Sequence, residues 1–111
     1  MKISSRQIDG VVIVDMTGRL DAAAAGDGND QLAQIIRGGQ RNILVNLEKL
    51  EFISSAGLRV LLLAAKLLQQ SGGKLKLCCA NALVKDVLEM SGFTSLISLY
   101  ATEGDAVASF R

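Results

Sequence analysis

Short apolar runs that alternate with stretches of helical periodicity leave this chain few folds to choose from. Val11 to Met16 is nearly continuous in apolar character, which suits a strand covered on both faces better than one with a wet face. Asn42 to Leu47 reads as a second buried strand, and Leu75-Lys76-Leu77-Cys78-Cys79, in partial alternation, as a third. Helical stretches lie between and after them. One is capped by Asp21 and runs to about Arg37, with Leu32, Ile35 and Ile36 inward; a second spans Leu58 to Gln70. A third is capped by Asn81 and carries Leu83, Val84, Val87 and Leu88 on one side. Strand-helix-strand crossovers are right-handed by rule and lay their strands parallel, so a mostly parallel sheet is expected.

Local signals fill in the rest. Asp9-Gly10 marks a two-residue hairpin turn, so Lys2 to Gln7 forms an antiparallel edge strand beside Val11 to Met16. Gly38-Gly39, Ser71-Gly72-Gly73 and Ser91-Gly92 end the three helices. Gly26 and Gly28 each cost about 0.8 to 1 kcal/mol relative to Ala, which predicts a frayed or irregular segment over Ala25 to Asn29. Leu50 to Ile53 reads as a loop, Leu96 to Tyr100 as a last short strand, and Glu103 to Phe110 as a terminal helix with Ala106, Val107 and Phe110 inward. The fold expected is α/β: one domain over residues 1–111, with a mixed, mostly parallel sheet of four to five strands and about four helices.

Composition narrows the chemistry. Half of the 111 residues are apolar, which a chain of this length buries most economically in one core. Twelve Lys and Arg against eleven Asp and Glu leave no electrostatic footprint for nucleic acid or an anionic membrane surface. The longest apolar stretch, Val60 to Ala65, falls far short of the roughly 20 residues that span a bilayer, so neither membrane insertion nor export is expected. The chain contains no histidine, which removes the usual general base and the commonest metal ligand together. Phe52, Phe93, Tyr100 and Phe110 are too few to make a base-stacking platform. Cys78 and Cys79 would point to opposite faces of a strand, one into the core and one out, which disfavours a disulfide and suits a reducing cytoplasm. Asp21, Asp27 and Asp30 read as caps and dipole partners rather than cation ligands. Gly26-Asp27-Gly28 lacks the third glycine and the Lys-Ser/Thr of a phosphate loop. No metal and no cofactor is predicted.

The informative stretch is Phe52-Ile53-Ser54-Ser55-Ala56-Gly57-Leu58-Arg59-Val60-Leu61-Leu62, where two hydroxyls and two small residues lead into an apolar helix. Serine is a preferred N-cap, and capping alone accounts for one of the pair. A capping box would need Glu or Gln three residues on, but Ser54 is followed by Gly57 and Ser55 by Leu58. The second hydroxyl is left at the positive end of a helix, where backbone N–H groups favour an added dianion. The helix itself has a narrow polar stripe of Arg59, Lys66, Gln69 and Gln70. It is read as packed beside the sheet, with part of its apolar face as the alternative docking surface.

This stretch resembles the signature of STAS domains of the anti-sigma factor antagonist type, in which a phosphorylatable serine precedes Gly-Leu at the start of the second helix. Gly57-Leu58 makes Ser55 the matching serine. The resemblance extends through Gly18-Arg19-Leu20-Asp21, Asn42 to Leu47, Gly72-Gly73-Lys74-Leu75 and Leu88-Glu89-Met90-Ser91-Gly92-Phe93. Family members often carry Asp before the phosphorylated serine; here Ser54 stands there and is a second candidate acceptor. The resemblance implies a cytoplasmic, bacterial, non-enzymatic regulator of transcription. Unphosphorylated, such a domain binds an anti-sigma factor that is also a serine kinase and so frees a sigma factor, and a serine/threonine phosphatase resets it. The partner surface expected here comprises Gly18, Arg19, Leu20, Asp21, Ser54, Ala56, Gly57, Leu58 and Arg59. The alternative is a STAS-only subunit of a transporter complex or signalling scaffold, without obligatory phosphorylation. An enzyme is not expected, since a nucleophilic serine needs an adjacent base.

Overall fold

The computed structural model describes all 111 residues. In chain order the elements are β1 (Lys2–Ile8), β2 (Val11–Leu20), α1 (Ala22–Arg37), β3 (Asn42–Asn46), β4 (Leu50–Ile53), α2 (Ser55–Gln70), β5 (Lys74–Cys78), α3 (Ala82–Met90), a 3-10 turn (Phe93–Ser95), β6 (Leu99–Tyr100) and α4 (Glu103–Ala108). Asp9 and Gly10 both take positive φ, 52° and 77°, and close the β1–β2 hairpin as their sequence predicts.

β2 is the spine. It pairs antiparallel with β1 from Ile8↔Val11 to Lys2↔Thr17, and its first half pairs parallel with β3 from Val12↔Ile43 to Asp15↔Asn46. After β3 ends the chain turns, and β4 takes over as β2's parallel partner from Gly18↔Leu50 to Leu20↔Ile53. β5 pairs parallel with β3, and β6 with β5, giving the order β1-β2-β3-β5-β6 with β4 beside the end of β2. The sheet therefore has six strands rather than four to five, and Leu50–Ile53 is a strand rather than a loop. The reason is the length of β2. It continues past Met16 to Leu20, and the backbone groups of that extension need partners that Leu50–Ile53 supplies.

Both faces of the sheet are buried, unevenly. Val12, Val14 and Met16 of β2 join Ile43, Val45, Leu75 and Leu77 under α1, α2 and α3. The opposite face, with Val11, Ile13, Leu44 and Cys78, is covered by Ala106 and Val107 of the short α4.

Four local expectations are corrected. Ala25 to Asn29 is continuous helix: Gly28 is buried, and a β carbon there would meet Leu20 Cδ1 at 3.3 Å, so the missing side chain lets α1 pack close to β2. Leu83 is exposed, because α3 buries the narrow stripe of Val84 and Leu88 and Leu83 is turned about 100° away from Val84. The last strand is only Leu99–Tyr100, since Phe93 to Ser95 form a 3-10 turn that seats Phe93 and Ile97 in the core. Cys79 lies beyond the end of β5, with φ at 65°, and not in the strand; Cys78 is buried and Cys79 half-buried, and both are free thiols. No helix is long and apolar enough to cross a membrane.

Candidate functional site

Because β2 and β4 run parallel, their C-terminal ends reach the same rim of the sheet, and each passes directly into a helix. Asp21 carries the chain from β2 into α1, its carboxylate accepting the Ala24 N–H at 3.1 Å. Ser54 carries it from β4 into α2, its Oγ accepting the Gly57 N–H at 3.3 Å. The two exits are stitched together by the Ser54 N–H, which donates to the Leu20 carbonyl at 3.0 Å. The segments Gly18–Asp21 and Ser54–Arg59, far apart in sequence, are thus one contiguous rim.

Within that rim the residues divide by direction. Leu20 is fully buried and Gly57 is buried beneath the helix start, so both hold the rim together and offer no side chain to a partner. Gly18, at φ 104°, turns the strand and donates its N–H to the Lys49 carbonyl at 3.1 Å. Arg19 points outward. Its guanidinium lies 4.5 Å from the centre of the Phe52 ring, with Asp21 Oδ2 3.8 Å from its Nε. Ala56 and Leu58 are half-buried, Leu58 against the core, and Arg59 is exposed.

Ser55, the first residue of α2, is exposed, and its hydroxyl is uncommitted. The sequence leaves open which serine caps the helix; the structure assigns the cap to Ser54. Ser55 and Arg59 are four residues apart on the exposed face of α2, the spacing at which helical side chains meet. The chain contains no histidine, the commonest base beside a nucleophilic serine.

Two supports of this rim escape sequence reasoning. Phe52 is the platform for Arg19, and only the pairing of β2 with β4 puts them side by side. Asn81 is visible as the cap of α3, accepting from the Val84 N–H at 2.8 Å, but its Nδ2 also donates to the Leu50 carbonyl at 2.9 Å and ties α3 to β4. Asp27 lies apart from the rim and accepts a hydrogen bond from Gln31 at 2.7 Å.

A second polar cluster sits on the α4 side of the sheet. Arg6 donates from Nε to Asp15 at 2.8 Å and from its two Nη atoms to Glu103, whose carboxylate also accepts from Asn46 Nδ2 at 3.0 Å. The Arg6 hydrogen bonds, helped by Asn46, hold Glu103 below the usual carboxylate range. Burial pushes the Cys78 thiol above its ordinary range, which keeps it protonated and inert.

Comparison with known proteins places this geometry. The STAS domain family model matches residues 2–106. A candidate anti-sigma factor antagonist, BtrV of Bordetella bronchiseptica, is 39% identical over 100% of this chain and 96% of its own length. The anti-sigma F factor antagonist of Paenibacillus polymyxa is 32% identical over 100% of this chain and 96% of its own. SpoIIAA in its unphosphorylated form superposes with a TM-score of 0.82 at 24% identity, over 99% of this chain and 96% of that one. The phosphorylated form of SpoIIAA, a Bacillus cell fate determinant, superposes with a TM-score of 0.73 at 23% identity, over 99% and 100%.

Proposed function

The chain belongs to the STAS domain family, and from that footing we propose that it is an anti-sigma factor antagonist: a protein-binding switch controlled by phosphorylation of Ser55. Unphosphorylated, it captures an anti-sigma factor that doubles as a serine kinase and thereby releases a sigma factor in the cytoplasm. Phosphorylation breaks that complex, and a serine/threonine phosphatase restores the binding form. Residues 1–111 act as one regulatory domain and catalyse nothing themselves.

The observation that carries the reading is the division of labour between adjacent serines. Ser54 is spent on the cap, while Ser55 is exposed with its hydroxyl free at the start of α2. A phosphate there adds about −1.5 to −2 charges at a helix N-terminus, where the isolated domain tolerates it. In a docked interface the same group, buried without a partner, costs several kcal/mol. A penalty of about 3 kcal/mol already weakens binding roughly a hundredfold. The switch needs no refolding. Two relatives at 39% and 32% identity bear antagonist names, and SpoIIAA, of the same fold, occurs in both phosphorylation states. The docking surface in this reading is the outward part of the rim: Gly18, Arg19, Asp21, Ser54, Ala56, Leu58 and Arg59.

Intact-mass and tandem mass spectrometry test it, on protein from its native cells and on protein incubated with native lysate and ATP. One phosphate on Ser55, absent in Ser55→Ala, is expected, together with an ATPase-type kinase that co-purifies only with the unphosphorylated form. A phosphate confined to Ser54 would move the switch by one residue. No phosphate under any condition, with a transporter subunit as the captured partner, would replace this function with that of a constitutive assembly subunit.

A further inference from the structure

β1 is the long free edge of the sheet, and its hydrogen-bonding groups can be assigned from the hairpin. In a two-residue hairpin the closing residues, here Ile8 and Val11, exchange both backbone hydrogen bonds, and bonded and outward residues then alternate along the strand. Ile8, Arg6, Ser4 and Lys2 are therefore bonded to β2. Gln7, Ser5 and Ile3 direct their N–H and C=O groups away from the sheet. No element pairs with that side of β1, and all of β1 is exposed except the half-buried Ile3.

Proteins usually blunt such an edge with proline, a bulge or charge. The chain contains no proline, and the β1–β2 register is unbroken. Of the two cations on β1, Arg6 is neutralised by Asp15 and Glu103 on the α4 face, which leaves Lys2 at the end. On the other face, Ile3, Ser5 and Gln7 border two shallow grooves against α1, of about 340 and 310 Å³, in which Arg6 is the one charged lining residue.

We propose that this edge pairs with the same edge of a second copy, as an antiparallel β1–β1 ladder centred on Ser5. The occupant follows from self-complementarity. Directly opposed residues in an antiparallel ladder share a face, so a two-fold axis that keeps the helices of both copies on the same sides must pass through a residue. Centred on Ser5, it opposes Ile3 to Gln7, Ser4 to Arg6 and Lys2 to Ile8, with no like charges directly opposed; the diagonal approach of Arg6 to the other copy's cations is eased by its pairing with Asp15 and Glu103. Centred on Ser4 it would set Lys2 against Arg6, and centred on Arg6 it would set arginine against arginine, both unfavourable. The Ser5 register also satisfies the outward groups of Ile3, Ser5 and Gln7 in both copies, and joins two six-stranded sheets into one. The ladder does not include Ser55 and reaches the rim only at its end, where Lys2 pairs with Thr17 beside Gly18.

Sedimentation equilibrium over a concentration series, with backbone amide exchange on the same samples, tests the proposal. The wild type is expected to pass from monomer to dimer, with the amides of Ile3, Ser5 and Gln7 gaining protection as concentration rises. Ser5→Pro removes an outward N–H without touching the β2 ladder, and Ser5→Lys opposes two cations at the axis; each should stay monomeric with an unchanged far-UV spectrum. A wild type that is monomeric throughout, with fast exchange at Ile3, Ser5 and Gln7, overturns the proposal and leaves the edge to a strand of another protein. Dimers that survive both substitutions, or protection that does not track concentration, overturn it equally.

Discussion

The carbonyl oxygen of Leu20 occupies the space that a side chain on Gly57 would need: a β carbon built at Gly57 stands 2.3 Å from it, and 2.8 Å from Ile53 Cγ1. The start of α2 is thus pressed onto the end of β2, against backbone that cannot rotate away. Gly57→Ala should destabilise the fold by about 1–3 kcal/mol, read as a shift in the urea midpoint, because overpacking there must displace the strand or the helix. Gly28→Ala is the control. Its β carbon would meet the flexible ends of Met1 at 3.2 Å and Leu20 at 3.3 Å, and alanine gains about 0.8 to 1 kcal/mol of helix propensity, so the midpoint should move little.

The adjacent serines should separate stability from switching. Ser54→Ala removes the cap of α2 and should cost about 1 kcal/mol in denaturant unfolding, with phosphoryl transfer to Ser55 retained. Ser55→Ala touches no hydrogen bond and should leave stability within about 0.5 kcal/mol of the wild type while abolishing phosphorylation. Ser55→Asp places an anion at a helix N-terminus, so it should not destabilise the domain, yet should weaken partner binding in titration calorimetry.

Much of this arrangement is legible from local chemistry. The Asp9-Gly10 turn and the caps at Asp21 and Asn81 each depend on neighbours a few residues away, and each forms as its sequence predicts. What is missed depends on distant partners. Leu50-Glu51-Phe52-Ile53 has no flanking turn signal and becomes a strand because the tail of β2 lies beside it. Gly28 weakens a helix by propensity, yet is buried where α1 approaches Leu20, and that approach cannot be read from helix periodicity. Leu83 belongs to the apolar side of α3 by pattern and is exposed because α3 is short and rests on Val84 and Leu88. At the site, the sequence yields two serines at a helix start; which one caps follows from the pairing that fixes Ser54 against the Leu20 carbonyl.

Acid should loosen the tie between β1 and α4. The Arg6 hydrogen bonds hold Glu103 below its ordinary value of 4.5, so the folded state binds this proton less readily than the unfolded chain does. The stabilisation is therefore fully present above that ordinary value and is lost as pH falls through the lower, folded one. In unfolding curves taken across the acid range, Glu103→Gln should lower stability at neutral pH and flatten the acid limb, so that variant and wild type converge at low pH. Parallel curves at all pH values would show that Glu103 contributes by packing rather than by charge.

Arg19 and Leu20 are neighbours on one strand with opposite duties, and that contrast gives the sharpest test of the docking surface. Leu20 is fully buried, so its truncation to Ala should cost about 2–5 kcal/mol and would report on the core, whatever happens to binding. Arg19 is exposed, with its guanidinium stacked 4.5 Å from the Phe52 ring centre and its Nε 3.8 Å from Asp21 Oδ2. Its replacement by Ala should cost no more than about 0.5–1 kcal/mol of stability, the scale of an exposed cation–π contact. If the rim is where the partner seats, Arg19→Ala should nevertheless slow association and reduce its dependence on ionic strength, since a rim charge acts mainly through steering. Stopped-flow binding at two salt concentrations measures both. Unchanged rates in Arg19→Ala, with binding still lost on phosphorylation of Ser55, would confine the partner contact to α2 and remove the β2 exit from the interface.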